Sequence, residues 1–214
     1  MQSSGKSSVL RRLLGLNLFP TGDGTVTRFP LEVRVKRNVT MNGYRVISVH
    51  RNSKQDSKTY PICNNEYELM TLIHSLVVAL YNFLKKEHDA QPNARKTKIV
   101  KDRIVIEIET NFTTVENISC IDLPGLIKNS DSEHPDDGIV SEEIIEEYTT
   151  MFPQANIVIV VDNSERTSNH VIPLLKKMGE KNKLEWEKHA IGVITKADAN
   201  VGRDNVKTWL ENVS

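Results

Sequence analysis

Apolar and polar residues alternate with two different periods along the first half of the chain. In residues 6–16, "KSSVLRRLLGL", the apolar side chains recur at helical spacing and end at Gly15, which predicts a helix. Residues 30–37, "PLEVRVKR", and 44–51, "YRVISVHR", alternate apolar and polar positions around an Asn-Gly turn, and this period of two predicts strands. Residues 66–87 return to the helical period, so a long helix is expected there.

The second half of the chain combines further strands and helices. Continuous apolar runs at 156–162, "NIVIVVD", and 189–195, "HAIGVIT", are typical of strands covered on both faces. The other predicted elements are strands at 104–110 and 117–123, separated by about the length of a hairpin connection, and helices at 141–152 (with Ser141 as the N-cap), 170–179 and 203–213. This alternation predicts one α/β domain in which helices are layered on a mixed sheet.

Composition and charge narrow the class of protein. The chain has 214 residues, enough for one domain with a substantial core, and 28 basic residues balance 28 acidic ones. A net charge of zero argues against nucleic acid as a partner. Two cysteines are too few for a disulfide scaffold and no signal segment opens the chain, so a reduced cytoplasmic protein is expected. The most apolar stretch, residues 69–84, is shorter than a membrane span and predicts a largely buried amphipathic helix.

Residues 2–8, "QSSGKSS", have the form of the second half of a phosphate-binding loop. Such a loop needs backbone N–H groups that face phosphate oxygens, a lysine for the β- and γ-phosphates, and a serine or threonine hydroxyl for Mg²⁺. Gly5, Lys6 and Ser7 supply these groups at the required spacing, and a predicted helix follows at once. The first glycine of the full motif would fall one position before Met1. Short Gly/Ser/Lys runs also occur in ordinary loops, so both interpretations stay open for this motif alone.

Residues 118–126, "ISCIDLPGL", place a carboxylate at the end of an apolar strand. Asp122 could there hold Mg²⁺, usually through a water, while Gly125 could offer its backbone N–H to a γ-phosphate. A strand followed by an ordinary Pro-Gly turn has the same pattern. The phosphate-loop motif at residues 2–8 favours the nucleotide interpretation.

Residues 191–198, "IGVITKAD", end another apolar strand with a lysine and a carboxylate. The Asp198 carboxylate can accept hydrogen bonds from the N1–H and the exocyclic amine of guanine, whereas adenine presents an acceptor at N1 and would leave it unpaired. Lys196 can lay its aliphatic stem over the base. The three motifs occur in the order that a guanine-nucleotide site requires, which makes a simple capped strand end a poor explanation.

Residues 18–30, "LFPTGDGTVTRFP", add a subfamily signature. Together with "QSSGKSSVL" this segment resembles the first switch region of the dynamin superfamily of large GTPases, in which a proline, two glycines and a V-T-R-x-P run follow the P-loop helix. The resemblance extends over most of the chain, from the P-loop to "TKAD". It implies a P-loop NTPase-type three-layer α/β fold with a mixed, mostly parallel central sheet whose first strand is missing, and an enzyme that binds and hydrolyses GTP.

The resemblance also implies a role for each matching residue. The nucleotide-binding residues would be Ser3, Ser4, Gly5, Lys6, Ser7, Ser8, Asp122, Gly125, Thr195, Lys196 and Asp198. The catalytic residues would be Gln2, which orients the hydrolytic water, Ser3, Lys6 and Thr27. Mg²⁺ would be bound by Ser7, Thr27 and, through water, Asp122. A K⁺ or Na⁺ ion that takes the place of an arginine finger would be bound by Ser3, Gly22 and Gly24.

The chain departs from the family pattern at both ends. The first P-loop glycine and the strand that should lead into the loop are absent, and the chain stops one helix after "TKAD". Residues 1–214 are therefore expected to be a partial dynamin-type G domain that folds poorly alone and binds guanine nucleotide weakly.

Two functions are open at this point. The first is a GTP hydrolase that self-associates through its G domain and is coupled, in a full-length protein, to membrane or organelle remodelling. Membrane contact would then come only through regions outside this chain, and family analogy suggests microtubules as a further partner. The second is a non-catalytic module for guanine-nucleotide binding or assembly. The first is favoured because the candidate catalytic residues are all of the working type.

Overall fold

The structure is a computed structural model that describes residues 5–16, 18, 27–51, 60–112, 117–127, 132–162, 171–182 and 185–195. In chain order its elements are α1 (Lys6–Leu14), β1 (Leu31–Arg37), β2 (Tyr44–Arg51), β3 (Ile62–Cys63), α2 (Glu66–Asp89), β4 (Ile104–Thr110), β5 (Asn117–Asp122), α3 (Asp137–Met151), β6 (Ile157–Asp162), α4 (Val171–Asn182), a 3₁₀ helix (Trp186–His189) and β7 (Ala190–Thr195). The predicted helix at 203–213 lies outside the described residues.

Five strands form one sheet in the order β3-β2-β4-β1-β5, and β6 and β7 form a second, two-stranded sheet. Strand β1 is parallel to β4 and antiparallel to β5. Strand β2 is antiparallel to both β4 and β3, and β6 is parallel to β7. The predicted α/β class with a mixed central sheet is thereby confirmed. Three of these five pairings are antiparallel, so parallel pairs are fewer in the described part than the sequence predicted.

The order of the strands in the five-stranded sheet differs from their order in the chain. Strands β4 and β5 are separated by about the length of a hairpin connection, but they do not pair, because β1 lies between them. Strand β4 lies in the middle of the sheet between β2 and β1, and each of these three strands has a run of three consecutive buried residues. Strand β5, with two exposed positions and Cys120 half-buried, lies at the end of this sheet and is less buried than its apolar sequence predicts.

The main core lies between one face of the five-stranded sheet and helices α1 and α2. Alternate residues of β1, Leu31, Val33 and Val35, point into it, as the period of two requires. Helix α1 contributes Leu14 and ends at Gly15, whose positive φ of 67° gives the left-handed C-cap that the sequence predicts. Two smaller cores join α3 to the segment after β5 and to the β6–α4 unit.

Helix α2 is amphipathic, as predicted, but less buried than predicted. Its core face is made by Leu69, Ile73, Val77 and Leu84. Its other face leaves Tyr67 and Phe83 77% and 56% exposed. By length and composition alone α2 could cross a membrane, and it is the one such helix in the part of the chain that the structure describes. Its apolar residues on the core face are engaged with the sheet.

Two local predictions are corrected. Helix α3 begins at Asp137, so Ser141 lies in its second turn and donates a hydrogen bond to the Gly138 carbonyl (2.8 Å) instead of capping the helix. At this helix start, the backbone N–H groups of residues 96 and 98 donate hydrogen bonds to the carboxylates of Asp136 and Asp137. On β7, Ile191 is 54% exposed, so this strand is not covered on both faces by the described residues.

Candidate functional site

The start of helix α1 has the properties of an anion site. Gly5 precedes the helix with a φ of 83°, a conformation that glycine adopts without the steric cost of a Cβ, and its carbonyl accepts the first helical hydrogen bond from Val9 N (3.0 Å). The N–H groups of a first helical turn have no partner within the helix, and they attract negative charge. No acidic residue lies in this turn of α1. A phosphate could therefore approach these groups without repulsion from a neighbouring carboxylate.

Gly5 also brings the start of α1 against the end of β7. A Cβ built on Gly5 would lie 2.8 Å from Cγ2 of Thr195, the last residue of that strand. The phosphate-loop motif and the first residue of "TKAD" are therefore in contact across 190 residues of sequence. Only a residue without a side chain fits at position 5 with this backbone.

Lys6 extends from α1 to the segment that follows β5. Its Nζ would lie 3.2 Å from a Cβ at Gly125, so the amine and the Gly125 backbone are close neighbours. Burial raises the pKa of Asp122, the last residue of β5, and the positive charge of Lys6 acts against this rise. Lys6 and the "DLPG" segment, residues 122–125, therefore lie next to each other at the edge of the sheet.

Asp122 forms a buried hydrogen bond with the predicted switch threonine. The Thr27 hydroxyl donates to Asp122 Oδ2 at 2.8 Å, and the two residues are 7% and 2% exposed. Burial, the largest effect, raises the pKa of the Asp122 carboxyl, and the charge of Lys6 and the Thr27 hydrogen bond lower it in part. A carboxylate that burial makes costly is a group that gains from a bound cation.

The oxygen atoms of Thr27 and Asp122 fit the hard ligands that Mg²⁺ prefers. Among the described residues, no three His, Cys, Asp or Glu side chains come together as a metal site. A divalent cation here would therefore have to take most of its ligands from phosphate oxygens and water, as nucleotide-bound Mg²⁺ commonly does.

The structure brings together most of the predicted site residues that it describes. Gly5, Lys6, Thr27, Asp122, Gly125 and Thr195 lie around the start of α1 and the ends of β5 and β7. Ser7 and Ser8 are the second and third residues of α1, the first half-buried and the second exposed. The predicted residues that lie outside the described part are Gln2, Ser3, Ser4, Gly22, Gly24, Lys196 and Asp198. The individual roles stay predictions.

Sequence reasoning missed a buried polar pair that joins the chain before β4 to the start of α3. Asp137, which lies before the predicted helix start at residue 141, is 5% exposed and accepts a hydrogen bond from the hydroxyl of Thr97 (2.6 Å), which is 1% exposed. An acidic residue directly before the apolar period of α3 is a signal for a helix start that could have placed Asp137. Nothing local in "RKTKIV" marks Thr97 as buried, because its partner lies 40 residues away.

The fold and this site define a P-loop GTPase-type α/β domain. The chain belongs to the dynamin family: the family's model, described as "Dynamin family", matches residues 1–197. Together with the relatives below, this match makes the chain a dynamin-like GTPase domain.

Three named relatives show how far the similarity extends. The chain is 25% identical over 198 residues to the interferon-induced GTP-binding protein Mx1 of Ictalurus punctatus, covering 92% of this chain and 28% of that protein. It is 28% identical to the interferon-induced GTP-binding protein Mx of Perca fluviatilis, covering 92% of this chain and 57% of that protein. It is 27% identical to the vacuolar protein sorting-associated protein 1 of Schizosaccharomyces pombe, covering 92% and 28%. The chain therefore spans only part of the length of these relatives.

Proposed function

We propose that this chain binds GTP and hydrolyses it at the edge of the sheet where α1 begins and β5 and β7 end. The observation that carries the proposal is the position of Lys6. Its amine lies beside the Gly125 backbone, and its charge partly offsets the effect of burial on the pKa of Asp122. A cationic side chain, a glycine backbone N–H and a carboxylate for a metal ion are the parts that phosphoryl transfer requires.

Each residue has a distinct task in this proposal. Lys6 and the N–H groups of the first turn of α1 stabilise negative charge on the β- and γ-phosphates, and the Gly125 N–H donates to a γ-phosphate oxygen. Thr27, held by its hydrogen bond to Asp122, is positioned at the γ-phosphate side of the site. Mg²⁺, when bound by Ser7, Thr27 and, through water, Asp122, supplies positive charge at the phosphates. Gln2 orients the attacking water.

Selectivity for guanine is assigned to the residues after β7. Thr195 lies against Gly5, so β7 ends next to the start of α1. Asp198 would accept hydrogen bonds from the guanine N1–H and amine, and Lys196 would cover the base. Two of the relatives described above carry the words "GTP-binding" in their names, which supports the same nucleotide.

The experiment is GTP turnover by purified protein with Mg²⁺, compared with ATP and with Lys6→Ala. The expected result is turnover of GTP but not ATP, and a loss of about 100-fold or more in Lys6→Ala, because a cation is removed from the developing charge. Arg12→Ala, which removes an exposed cation from the last turn of the same helix, is the control and should keep normal turnover. Tight GTP binding without turnover would instead identify a non-catalytic guanine-nucleotide module.

The cellular setting belongs to the same proposal. We infer a cytoplasmic protein whose hydrolysis of GTP is stimulated by self-association through this domain. The hydrolysis would be coupled to membrane or organelle remodelling, with membrane contact through other regions of a full-length protein. Microtubules would be a further partner. K⁺ or Na⁺ bound by Ser3, Gly22 and Gly24 would supply the charge that an arginine finger supplies elsewhere. Light scattering in K⁺, with and without a GTP transition-state mimic, tests self-association, and the absence of a mimic-dependent dimer would contradict it. GTP turnover measured in K⁺ and in choline tests the cation site, and equal turnover in the two would contradict it.

A further inference from the structure

Residues 96–100, here called the linking segment, lie between α2 and β4 and contact the backbone directly after Thr27. The Val100 N–H donates to the Arg28 carbonyl at 2.9 Å. This bond lies one residue beyond the threonine that contacts Asp122. The linking segment therefore helps to fix where the chain leaves Thr27.

Tyr81 of α2 also connects the linking segment to the residues that follow Thr27. The Tyr81 hydroxyl donates to the Lys98 carbonyl at 2.8 Å, and its ring lies 5.4 Å from the ring of Phe29, centre to centre. One tyrosine thus contacts both the linking segment and the residue that follows Arg28. The linking segment is therefore connected to the residues after Thr27 by a backbone hydrogen bond and by the side chain of Tyr81.

The other side of the linking segment is bonded to the start of α3. The hydroxyl of Thr97 and the backbone N–H of Lys98 both donate to Oδ1 of Asp137, at 2.6 and 2.8 Å. The N–H of Lys96 donates to Asp136 Oδ2 at 2.9 Å. Thr97 and Asp137 are both at least nine-tenths buried, so these bonds are largely protected from competition by water.

Two neighbouring side chains of the segment enter different cores. Ile99 packs with α3 and with Leu123 and Ile127, which flank Gly125 in sequence. Val100 packs in the main core under the sheet. Both side chains are 1% exposed, so a shift of the segment would disturb both cores.

We propose that the linking segment couples the Thr27 side of the site to the Gly125 side, with Thr97 and Asp137 as positioning residues. This inference rests on the proposed GTP hydrolysis. Bonds to residue 28 on one side and to residues 136 and 137 on the other give the two sides a second connection, in addition to the Thr27–Asp122 hydrogen bond and the pairing of β1 with β5. Neither Thr97 nor Asp137 needs to touch nucleotide for this role, because each acts through the backbone that carries the site.

The test compares Thr97→Val with Thr110→Val in the full natural protein. Thr110, at the far end of β4, is equally buried, and its hydroxyl also donates to an oxygen, that of Gly43, and accepts the N–H two residues on. Thr97 likewise accepts the N–H of Ile99. Each substitution therefore removes one donated and one accepted hydrogen bond, with a carboxylate as the acceptor for Thr97 and a backbone carbonyl for Thr110, and only Thr97 lies in the linking segment.

Thr97→Val should lower kcat for GTP by roughly 3- to 30-fold, the range of coupling changes caused by mutations away from a ligand, with GDP affinity changed less than about twofold. Thr97→Ser, which keeps the hydroxyl, should restore kcat. In wild type, a non-hydrolysable GTP analogue should slow hydrogen exchange at the Val100 and Lys98 amides together. In Thr97→Val the slowing should be confined to Val100.

A milder pair keeps the test decisive if Thr97→Val does not fold. Ile99→Val trims the contact with α3, and Ile108→Val trims an equally buried isoleucine of β4 that lies outside the linking segment. Ile99→Val should lower kcat more than Ile108→Val at an equal loss of Tm. If wild type fails to bind GTP, the proposed function falls and the coupling falls with it. If wild type hydrolyses GTP while each variant behaves like its control, the coupling alone is overturned.

Discussion

Gly5 and Thr195 lie so close together that a Cβ at residue 5 would stand 2.8 Å from Thr195 Cγ2. Gly5 also has a positive φ of 83°, which costs a residue with a side chain about 1–2 kcal/mol. Gly5→Ala should therefore destabilise the protein by more than this backbone cost, and it should weaken nucleotide binding because α1 must move away from β7. Denaturant unfolding and GDP titration measure the two effects.

The chain offers matched controls for the Gly5 prediction. Gly15 also has a positive φ, 67°, but a Cβ there would meet nothing within 4 Å, so Gly15→Ala isolates the backbone cost. Thr195→Ser removes Cγ2 and should recover part of the stability that Gly5→Ala loses. Equal losses in Gly5→Ala and Gly15→Ala would contradict the close contact between α1 and β7.

Gly125→Ala should impair turnover with little change in stability. A Cβ at residue 125 would lie 3.2 Å from Lys6 Nζ, so the amine would have to move by a few tenths of an ångström. Such a displacement of a catalytic group should lower kcat/KM by about 10-fold, while the flexible lysine keeps the loss of unfolding free energy below about 1 kcal/mol. In a Lys6→Ala background the same substitution should have almost no effect, and additive losses would contradict the contact.

Asp122→Asn should stabilise the nucleotide-free protein and impair catalysis. Burial raises the pKa of Asp122, so the folded protein holds this proton more tightly than the unfolded chain. That contribution to stability is present below the ordinary pKa of about 4 and is lost as pH rises through the folded pKa, so at pH 7 the ionised group is a cost. Asparagine keeps an acceptor for the Thr27 hydroxyl without the charge.

Asp122→Asn should therefore change the unfolding free energy and the GTP turnover in opposite directions. Without nucleotide or Mg²⁺, Asp122→Asn should raise the unfolding free energy at pH 7 by about 0.5–2 kcal/mol. Its turnover with Mg²⁺ and GTP should fall by about 10- to 100-fold, the usual loss when metal binding is weakened. A lower Tm in the metal-free variant would show that the buried carboxylate is not a cost in the folded state.

The motifs predicted that Lys6, Asp122 and Gly125 lie close together, whereas the periodic pattern did not predict the order of the strands. Lys6, Asp122 and Gly125 stand directly at or after the ends of elements, so recognising α1 and β5 was enough to expect them at one edge. The end of α1 at Gly15 could likewise be predicted, because a glycine directly after an apolar helical pattern is a local signal for a helix C-terminus.

Pairing and burial over long distances could not be predicted in the same way. The insertion of β1 between β4 and β5 depends on contacts between residues about 70 to 90 positions apart, as in Val33 with Ile106 and with Cys120. Helix periodicity also says which face of α2 is apolar, but not that Tyr67 stays 77% exposed. Strand pairing and the exposure of a helix face depend on which other elements cover them, and a local sequence pattern does not contain this information.

His50 makes the stability of this domain sensitive to acid. It is 6% exposed on β2, and within the described part of the chain its Nδ1 has no hydrogen-bond partner. Burial, the largest effect, lowers its pKa; Glu107 and Glu32 act to raise it, and Arg34 and Arg103 act to lower it. The folded protein therefore keeps this imidazole neutral at a pH where the unfolded chain already binds a proton.

The sign of the pH dependence follows from that difference. Below the unfolded value of about 6.5 the unfolded chain gains a proton that the folded protein gains only at lower pH, so stability falls as pH drops through this window. His50→Gln should make Tm depend less on pH between 5 and 7, while His74→Gln, on the exposed face of α2, should leave the dependence as in wild type. If the two variants show the same slope, acid does not act through His50, and the buried imidazole contributes to packing alone.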